Sequence, residues 1–167
     1  MTTYHPRRPE NAITETSELL EIIRGQKFMT LAMALNNEPY LATMNCAYAP
    51  VENCFYFHCA PEGKKVAYLK ANPLVWGQIL EDRGYLMGDC NHAYRTVQFQ
   101  GRAEFIADPE EKRQALYLMM TQLENDPEPS KKRALSEADL AKADVVKVRV
   151  LEMSGKKNPV KKEDGVS

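Results

Sequence analysis

Apolar and polar residues alternate along two long segments in the second half of the chain, at 94–106 and 144–153. The apolar positions are Val97, Phe99, Ala103 and Phe105 in the first segment and Val146, Val148 and Val150 in the second. Strict alternation is typical of a β-strand that buries one face. Both segments are therefore predicted to be strands, and Gly101 in the middle of the first predicts a bulge or bend.

Four earlier segments also have the length and composition of strands, at 27–36, 39–48, 53–59 and 74–81. The first two are separated by Asn37-Glu38, which predicts a hairpin, and the third is rich in aromatic residues. Residues 82–84 predict a turn, and 85–92 are interpreted as a loop. Six strands with mostly short connections predict a mainly β fold, in which a six-stranded antiparallel barrel is flanked by helices.

Helical spacing of apolar residues occurs at 16–25, at 64–71 and in a segment that begins after Asp108. Asp108-Pro109 followed by two glutamates is a strong helix start, because it combines a capping carboxylate with proline at the first helical position. The apolar stripe of this third helix is Leu116, Met119, Met120 and Leu123. Such a stripe is expected to fill the core rather than to bind a cofactor. Residues 125–133 are interpreted as a surface linker and 136–142 as a brief helix.

The length of 167 residues is that of one domain. Residues 1–157 are predicted to form that domain, and the basic segment 158–167 a flexible tail, with loose structure expected from Gly155 onwards. The 22 Lys and Arg residues nearly balance the 23 Asp and Glu residues, which argues against a nucleic-acid or anionic-membrane partner. No apolar run is long enough to span a bilayer and the start lacks a secretion signal, so the protein is expected to be cytoplasmic.

The cysteines do not have the spacing of a metal site. Cys46, Cys54, Cys59 and Cys90 include no C-x-x-C pair, and Cys90 with His92 supplies two ligands where zinc needs three or four. We therefore expect reduced thiols and no bound metal. Motifs of serine hydrolases, P-loop NTPases, dinucleotide-binding folds, zinc proteases and RNA-binding domains are also absent from the sequence.

The segment 57–65 carries the most informative chemistry. Lys64 and Lys65 fall in the first turn of a predicted helix, where the helix dipole already places positive charge. A bound phosphate would relieve this repulsion, with Gly63 allowing close approach, but a pair of solvated surface lysines is an equally open interpretation. His58 could titrate near neutral pH or be a structural residue. Arg95, at the rim of an apolar face, needs either a carboxylate or a bound anion.

The order EPYLATMNCAY, CFYFHCAPEGKKVAYLKANPLV and YRTVQFQGRAEFIADPEEKRQAL resembles the pyridoxamine 5'-phosphate oxidase-like FMN-binding split barrels. Within them it is most similar to the nitroimidazole-resistance (Nim-like) branch, from Ile22 to about Lys157. The resemblance implies a homodimeric split barrel with FMN as cofactor. It also implies a flavin-dependent oxidoreductase that reduces a small acceptor such as a nitroaromatic compound, with NAD(P)H as a candidate donor.

The resemblance also implies roles for individual residues. The isoalloxazine ring would lie along Ala42, Thr43, Met44 and Asn45. The phosphate and ribityl chain would be held by His58, Cys59, Gly63, Lys64 and Lys65, with Arg95 and Thr96 closing the site. His58 occupies the position of the active-site histidine of the Nim-like branch and is predicted to be catalytic.

Three departures from the family pattern are present. Cys59 stands where serine or threonine is usual, and Lys64 stands where arginine is frequent, which keeps the charge but loses bidentate geometry. No histidine follows His92, so the substrate-binding residues of true pyridoxamine phosphate oxidases have no counterpart and synthesis of pyridoxal phosphate is not expected. Two alternatives to the oxidoreductase remain, a flavin- or haem-binding carrier or sensor without turnover and a deazaflavin-dependent reductase.

Overall fold

The structure is a computed structural model that describes residues 8–134 and 142–158. The strands are β1 (Ala12–Ile13), β2 (Phe28–Leu35), β3 (Glu38–Asn45), β4 (Ala47–Ala49), β5 (Cys54–Cys59), β6 (Leu74–Leu86), β7 (Asn91–Phe105) and β8 (Asp144–Asn158). The helices are α1 (Thr16–Gly25), α2 (Lys64–Ala71), α3 (Pro109–Leu123) and α4 (Glu128–Ala134), and a short 3-10 turn spans Pro9–Asn11.

All strand pairs are antiparallel and belong to one sheet with the order β3-β2-β6-β7-β8-β5-β4, and β1 adds to β8. The predicted mainly β class with flanking helices is therefore confirmed. The sheet has eight strands instead of the predicted six. One addition is the two-residue β1, and the other arises because the single strand predicted at 39–48 is divided at Cys46 into β3 and β4.

The interior of the sheet holds the larger apolar core. Phe55 of β5 stacks on Phe99 of β7, with ring centroids 4.4 Å apart, and both rings are fully buried. Gly77 of β6 lies under the Phe99 ring, where an added Cβ atom would come within 2.1 Å of it. Glycine at this position therefore gives the ring the space it occupies between β5 and β6.

A second apolar core lies on the opposite face of β5, beneath α3. Cys54 and Tyr56 of β5 pack there with Val145 of β8 and with Leu116 and Met119 of α3. Because β5 is covered on both faces along residues 54–57, this part of its sequence is apolar throughout rather than alternating, and the exposed His58 interrupts the pattern. The predicted core-filling role of the α3 stripe is confirmed for Leu116 and Met119.

Helices α1 and α2 begin and end where the sequence predicts. Helix α3 begins after Asp108, whose carboxylate accepts a hydrogen bond from the Glu111 N–H at 2.8 Å. Helix α4 occupies most of the segment predicted to be a linker. The brief helix predicted at 136–142 lies almost entirely outside the described residues.

The long strands extend further than their alternation suggests. β6 passes through the predicted turn at 82–84 as a bulge, with Gly84 at φ 92°, and runs to Leu86. The predicted loop at 85–92 is thus reduced to a four-residue turn at 87–90. β8 continues past Met153 to Asn158 because residues 155–156 pair with both β7 and β1. The loose structure predicted from Gly155 onwards is therefore wrong for residues 155–158, which belong to β8. The rest of the predicted tail 158–167, from residue 159 onwards, lies outside the described residues.

Candidate functional site

The candidate site lies where the chain leaves one strand partner for another. Residues of β3 pair with β2, but after Cys46 the chain pairs as β4 with β5, so β3 and β5 are not hydrogen-bonded to each other. The first turn of α2 connects the two strands: the Lys65 Nζ atom lies 3.9 Å from the Met44 Sδ atom of β3 and 5.2 Å from the centroid of the Phe57 ring of β5. We call this opening the split.

The start of α2 is open to a ligand. Gly63 precedes the helix with φ 133°, a conformation that other residues rarely adopt, and no heavy atom would lie within 4 Å of an added Cβ atom there. No side chain caps the helix. Backbone N–H groups at an uncapped helix start can hydrogen-bond an anion.

The two neighbouring lysines have different surroundings. The Lys64 Nζ atom lies 2.8 Å from the Glu38 carboxylate and faces the rings of Tyr40 and Tyr68 at 5.0 and 5.4 Å. The Glu38 pKa is lowered, chiefly by its hydrogen bond with Lys64. Glu38 was not among the predicted site residues, and it offsets the charge of Lys64.

Lys65 has no such compensation within the part of the chain that the structure describes. Its neighbours are the thioether of Met44 and the ring of Phe57, and no described carboxylate forms an ion pair with it. Its positive charge is close enough to His58 to lower the pKa of that imidazole. Lys65 therefore supplies the uncompensated cation of the split.

His58 is near the end of β5, on the face that carries Cys54 and Tyr56 toward α3. Its pKa lies below the usual value of 6.5, because burial disfavours the charged imidazole and Lys65 adds repulsion. The residue is nevertheless exposed, so a ligand can reach the imidazole. At neutral pH the imidazole is mainly neutral and can donate a hydrogen bond.

A cavity of about 490 Å³, the α3 cavity, opens beside His58. Its lining comprises Lys27, Asn45, His58, Leu116, Met119, Met120, Leu123, Glu124, Ser130 and Ala143. The Asn45 amide donates to the Lys27 carbonyl at 3.1 Å, and the Lys27 ammonium donates to the Leu123 carbonyl at 2.6 Å. These bonds join the end of β3 to the end of α3. Sequence reasoning identified Asn45 and His58 but did not associate Lys27 or Met120 with the site.

The other predicted residues of β3 and β5 divide between two faces. Met44 and Cys59 are buried in the sheet interior and Ala42 packs against the same core, whereas Thr43 and Asn45 point outward. Burial raises the pKa of the Cys59 thiol. The Cys59 side chain thus lies on the core side of β5, and His58 lies on the opposite side.

Arg95 and Thr96 lie on β7, which is separated from β5 by β8 and from β3 by β6 and β2. Arg95 is held by the carboxylates of Glu81 and Glu21, at 2.7 and 2.8 Å. The sequence left open whether the partner of Arg95 is a carboxylate or a bound anion, and the structure shows carboxylates. Thr96 points to the other face, where its hydroxyl donates to the Ile79 carbonyl at 3.0 Å.

Thr96 belongs to a second cavity, of about 720 Å³, on the outer face of β6, β7 and β8. It is lined by Gln78, Leu80, Asp82, His92, Tyr94, Thr96, Gln98, Ser154, Gly155 and Lys156. His92 forms a 2.6 Å hydrogen bond with the Asp82 carboxylate. The alternation of polar and apolar residues along β6 and β7 indicated an outward face, but it did not indicate a concave one.

One row of polar side chains crosses this outer face. The strand register aligns Thr43, Thr30, Gln78, Gln98 and Ser154 across five adjacent strands. Thr43 and Thr30 are hydrogen-bonded through their hydroxyls at 2.9 Å. The row runs from Thr43, which is predicted to contact the flavin ring, to the cavity that Thr96 lines.

The eight-stranded antiparallel sheet is open between β3 and β5, and the start of α2 lies in this opening with the uncompensated Lys65. A sheet opened in this way is a split barrel. The chain belongs to the family described as pyridoxamine 5'-phosphate oxidase, whose family model matches residues 15–157. The resemblance seen in the sequence is confirmed. No curated protein sequence gives a significant match.

Several solved structures are similar. A candidate 5-nitroimidazole antibiotic resistance protein from Bacteroides thetaiotaomicron is 28% identical with a TM-score of 0.75, over 87% of this chain and 86% of that one. The flavocytochrome Anf3 from Azotobacter vinelandii has a TM-score of 0.80 at 18% identity, over 97% and 77% of the two chains. The FAD and heme binding protein from Mycobacterium smegmatis has a TM-score of 0.76 at 15% identity, over 93% and 77%. The last two likenesses concern the fold alone.

No group of three or more histidine, cysteine, aspartate or glutamate side chains is arranged to hold a metal ion among residues 8–134 and 142–158. No helix within those ranges is both long enough and apolar enough to cross a membrane.

The pKa of His58 should report the charge of Lys65. Lys65→Met removes a positive charge, so protonation of the imidazole becomes easier and the pKa of His58 should rise toward 6.5. Lys64→Met is the matched control. Because Lys64 is already paired with Glu38, this variant should leave the pKa of His58 unchanged. NMR titration of the His58 ring resonances measures both. An unchanged pKa in Lys65→Met, or an equal rise in Lys64→Met, would contradict the assignment.

Proposed function

We propose that this chain is an FMN-dependent oxidoreductase that passes electrons from NADH or NADPH to a small acceptor such as a nitroaromatic compound. The observation that carries the proposal is the position of Lys65, an ammonium group without a described carboxylate partner at the uncapped start of α2. Catalytic sites commonly combine such a charge with a titratable group of shifted pKa, and His58 is that group here.

A phosphate monoester fits the start of α2. The Lys65 ammonium offers a charge-assisted contact, and the conformation of Gly63 leaves the first helical N–H groups open to close approach. Lys64 contributes less because Glu38 holds it. FMN carries such a phosphate, and the flavocytochrome and FAD-binding neighbours support a flavin as its remaining part.

The acceptor class is supported by the candidate nitroimidazole-resistance neighbour. When bound, the flavin supplies two-electron transfer, by which NAD(P)H, a proton and a nitro group give NAD(P)⁺, a nitroso group and water. His58 of this chain orients the acceptor by donating a hydrogen bond. A phosphate dianion beside Lys65 would offset the charge that lowers the pKa of His58, and would thereby bring the imidazole closer to proton delivery at neutral pH.

The phosphate assignment predicts unequal effects of the two lysines. Lys65→Ala should weaken FMN binding about ten- to a hundredfold, since one charge-assisted contact is lost, whereas Lys64→Ala should cost about threefold or less. Riboflavin, which lacks the phosphate, should bind both variants as it binds the parent. Fluorescence titration at two salt concentrations measures these affinities. Equal losses for FMN and riboflavin, or a larger loss in Lys64→Ala, would refute the assignment.

Turnover distinguishes an enzyme from a carrier. FMN-loaded protein should oxidise NADH or NADPH faster when a nitroaromatic acceptor is added, and His58→Gln should lose most of that rate while keeping the absorbance of bound FMN. Steady-state kinetics with both donors provides the measurement. The absence of an acceptor-dependent rate would favour a carrier or sensor, a Soret band would indicate haem, and loss of FMN in His58→Gln would make His58 a cofactor ligand.

We further propose that the protein is a homodimer whose flavin contacts both chains. Leu41, Trp76 and Leu80 are 66%, 44% and 50% exposed on the outer face of the sheet, beside the polar row. Exposed apolar residues grouped with hydrogen-bonding side chains are typical of a protein interface. A second copy seated on this face would bring its own Thr96 and outer cavity toward the ligand held at the split.

The dimer should depend on this outer face. Trp76→Glu places a charge in the proposed interface and should convert the FMN-loaded dimer to a monomer. Val51→Glu is the control, because Val51 is 98% exposed at the β4–β5 turn and should leave the dimer intact. Sedimentation velocity measures the masses. A monomeric parent protein with FMN bound would overturn the proposal.

A further inference from the structure

The α3 cavity begins where the predicted flavin site ends. It shares two residues with that site, Asn45 at the end of β3 and His58 on β5. From there it extends away from the start of α2 and toward α3. A ligand in the cavity would therefore contact His58 from the side opposite to the sheet interior, where Phe57 and Cys59 are buried.

The wall of the cavity formed by α3 is apolar and has flexible side chains. It is formed by Leu116, Met119, Met120 and Leu123 of α3. Met119 is almost fully buried in the second core, whereas Met120 is only partly buried and packs at its margin. Methionine side chains are flexible and polarisable, and their sulfur atoms make favourable contacts with aromatic rings. Met120 is therefore the part of this wall that can adapt to a flat aromatic molecule.

The charges of the cavity disfavour an anionic ligand. The only described lysine in its lining, Lys27, already donates to the Leu123 carbonyl at 2.6 Å. Glu124 adds a carboxylate, and His58 is mainly neutral at pH 7 because its pKa is lowered. A neutral molecule that accepts one hydrogen bond at its polar end matches this distribution, and 490 Å³ is within the usual size of small-molecule pockets.

We infer that the α3 cavity is the acceptor pocket, that it binds a neutral aromatic compound between His58 and α3, and that Met120 is a specificity-determining residue. The inference rests on the proposed oxidoreductase function and adds to it the pocket and the class of acceptor. In this arrangement the polar group of the acceptor lies at His58 and its ring lies against the Met120 side chain.

Methionine methyl groups give a test that does not depend on turnover. The chain has 8 methionines, and protein labelled with ¹³C at the methionine methyls can be titrated with 4-nitrobenzyl alcohol, with and without FMN. The probe should shift the resonances of Met119 and Met120 and leave that of Met87, which is 87% exposed at the β6–β7 turn. Shifts of Met120 by FMN alone would assign the cavity to the cofactor, and unshifted resonances would exclude the pocket. Either result would overturn the inference.

Kinetics of variants supply the second measurement. Met120→Ala should raise KM for 4-nitrobenzyl alcohol about two- to tenfold, the loss expected for one sulfur–aromatic contact. Met120→Leu should restore much of the affinity. Leu118→Ala is the control, because Leu118 packs against the same core but is not part of the cavity lining.

The two proposals can fail separately. If the probe shifts the methyl resonances of Met119 and Met120 but no turnover is observed, the pocket is supported and the oxidoreductase function is refuted. If turnover is observed but KM is unchanged in Met120→Ala, the pocket is refuted and the oxidoreductase function stands. A rise in KM that is equal in Leu118→Ala and Met120→Ala would mean that the packing of α3, rather than contact with the acceptor, sets the affinity, and it would also refute the pocket.

Discussion

The site depends on a change of hydrogen-bonding partner within one short segment of chain. Between Glu38 and Asn45 the backbone pairs with β2, and between Ala47 and Ala49 it pairs with β5. A strand cannot pair with both neighbours along the same edge, so β3 and β5 diverge and leave an opening in the sheet. The start of α2 enters this opening, and His58 and Asn45 come to its outer rim because each lies near the end of a diverging strand.

Electrostatics at the split are asymmetric although the two lysines are consecutive. One helical step turns Lys64 toward Glu38 on the edge strand and Lys65 toward the interior of the opening. Exposed ion pairs contribute little to stability, so the pairing of Lys64 matters mainly because it assigns the uncompensated charge to Lys65. Burial lowers the pKa of the His58 imidazole, and the charge of Lys65 lowers it further. Binding of an anion and protonation of His58 are therefore coupled through a single side chain.

Local signals predicted α1, α2 and the cap of α3 closely, because capping residues, Gly63 and helical periodicity act within a few positions. Non-local pairing explains what was missed. The extension of β8 to Asn158 pairs with β7 and, at residues 155–156, with β1, which is more than 140 residues away in sequence. The division at Cys46 arises because the first half of the predicted strand pairs with β2 and the second half with β5. The family resemblance supplied candidate site residues, but only the fold showed that Arg95 is held by carboxylates and that Thr96 lines a cavity on the outer face.

The two faces of the sheet offer different chemistry. On the α3 side, β5 is covered by a helix whose last turns leave a cavity at His58, and its described lining residues all belong to one chain. On the outer face of β6 and β7, no described helix covers the polar row or the apolar side chains beside it. In the proposed oxidoreductase, an acceptor would reach His58 from the α3 side while a second copy would occupy the outer face. This separation allows changes in Met120 to alter acceptor choice without altering the surface on which a dimer would form.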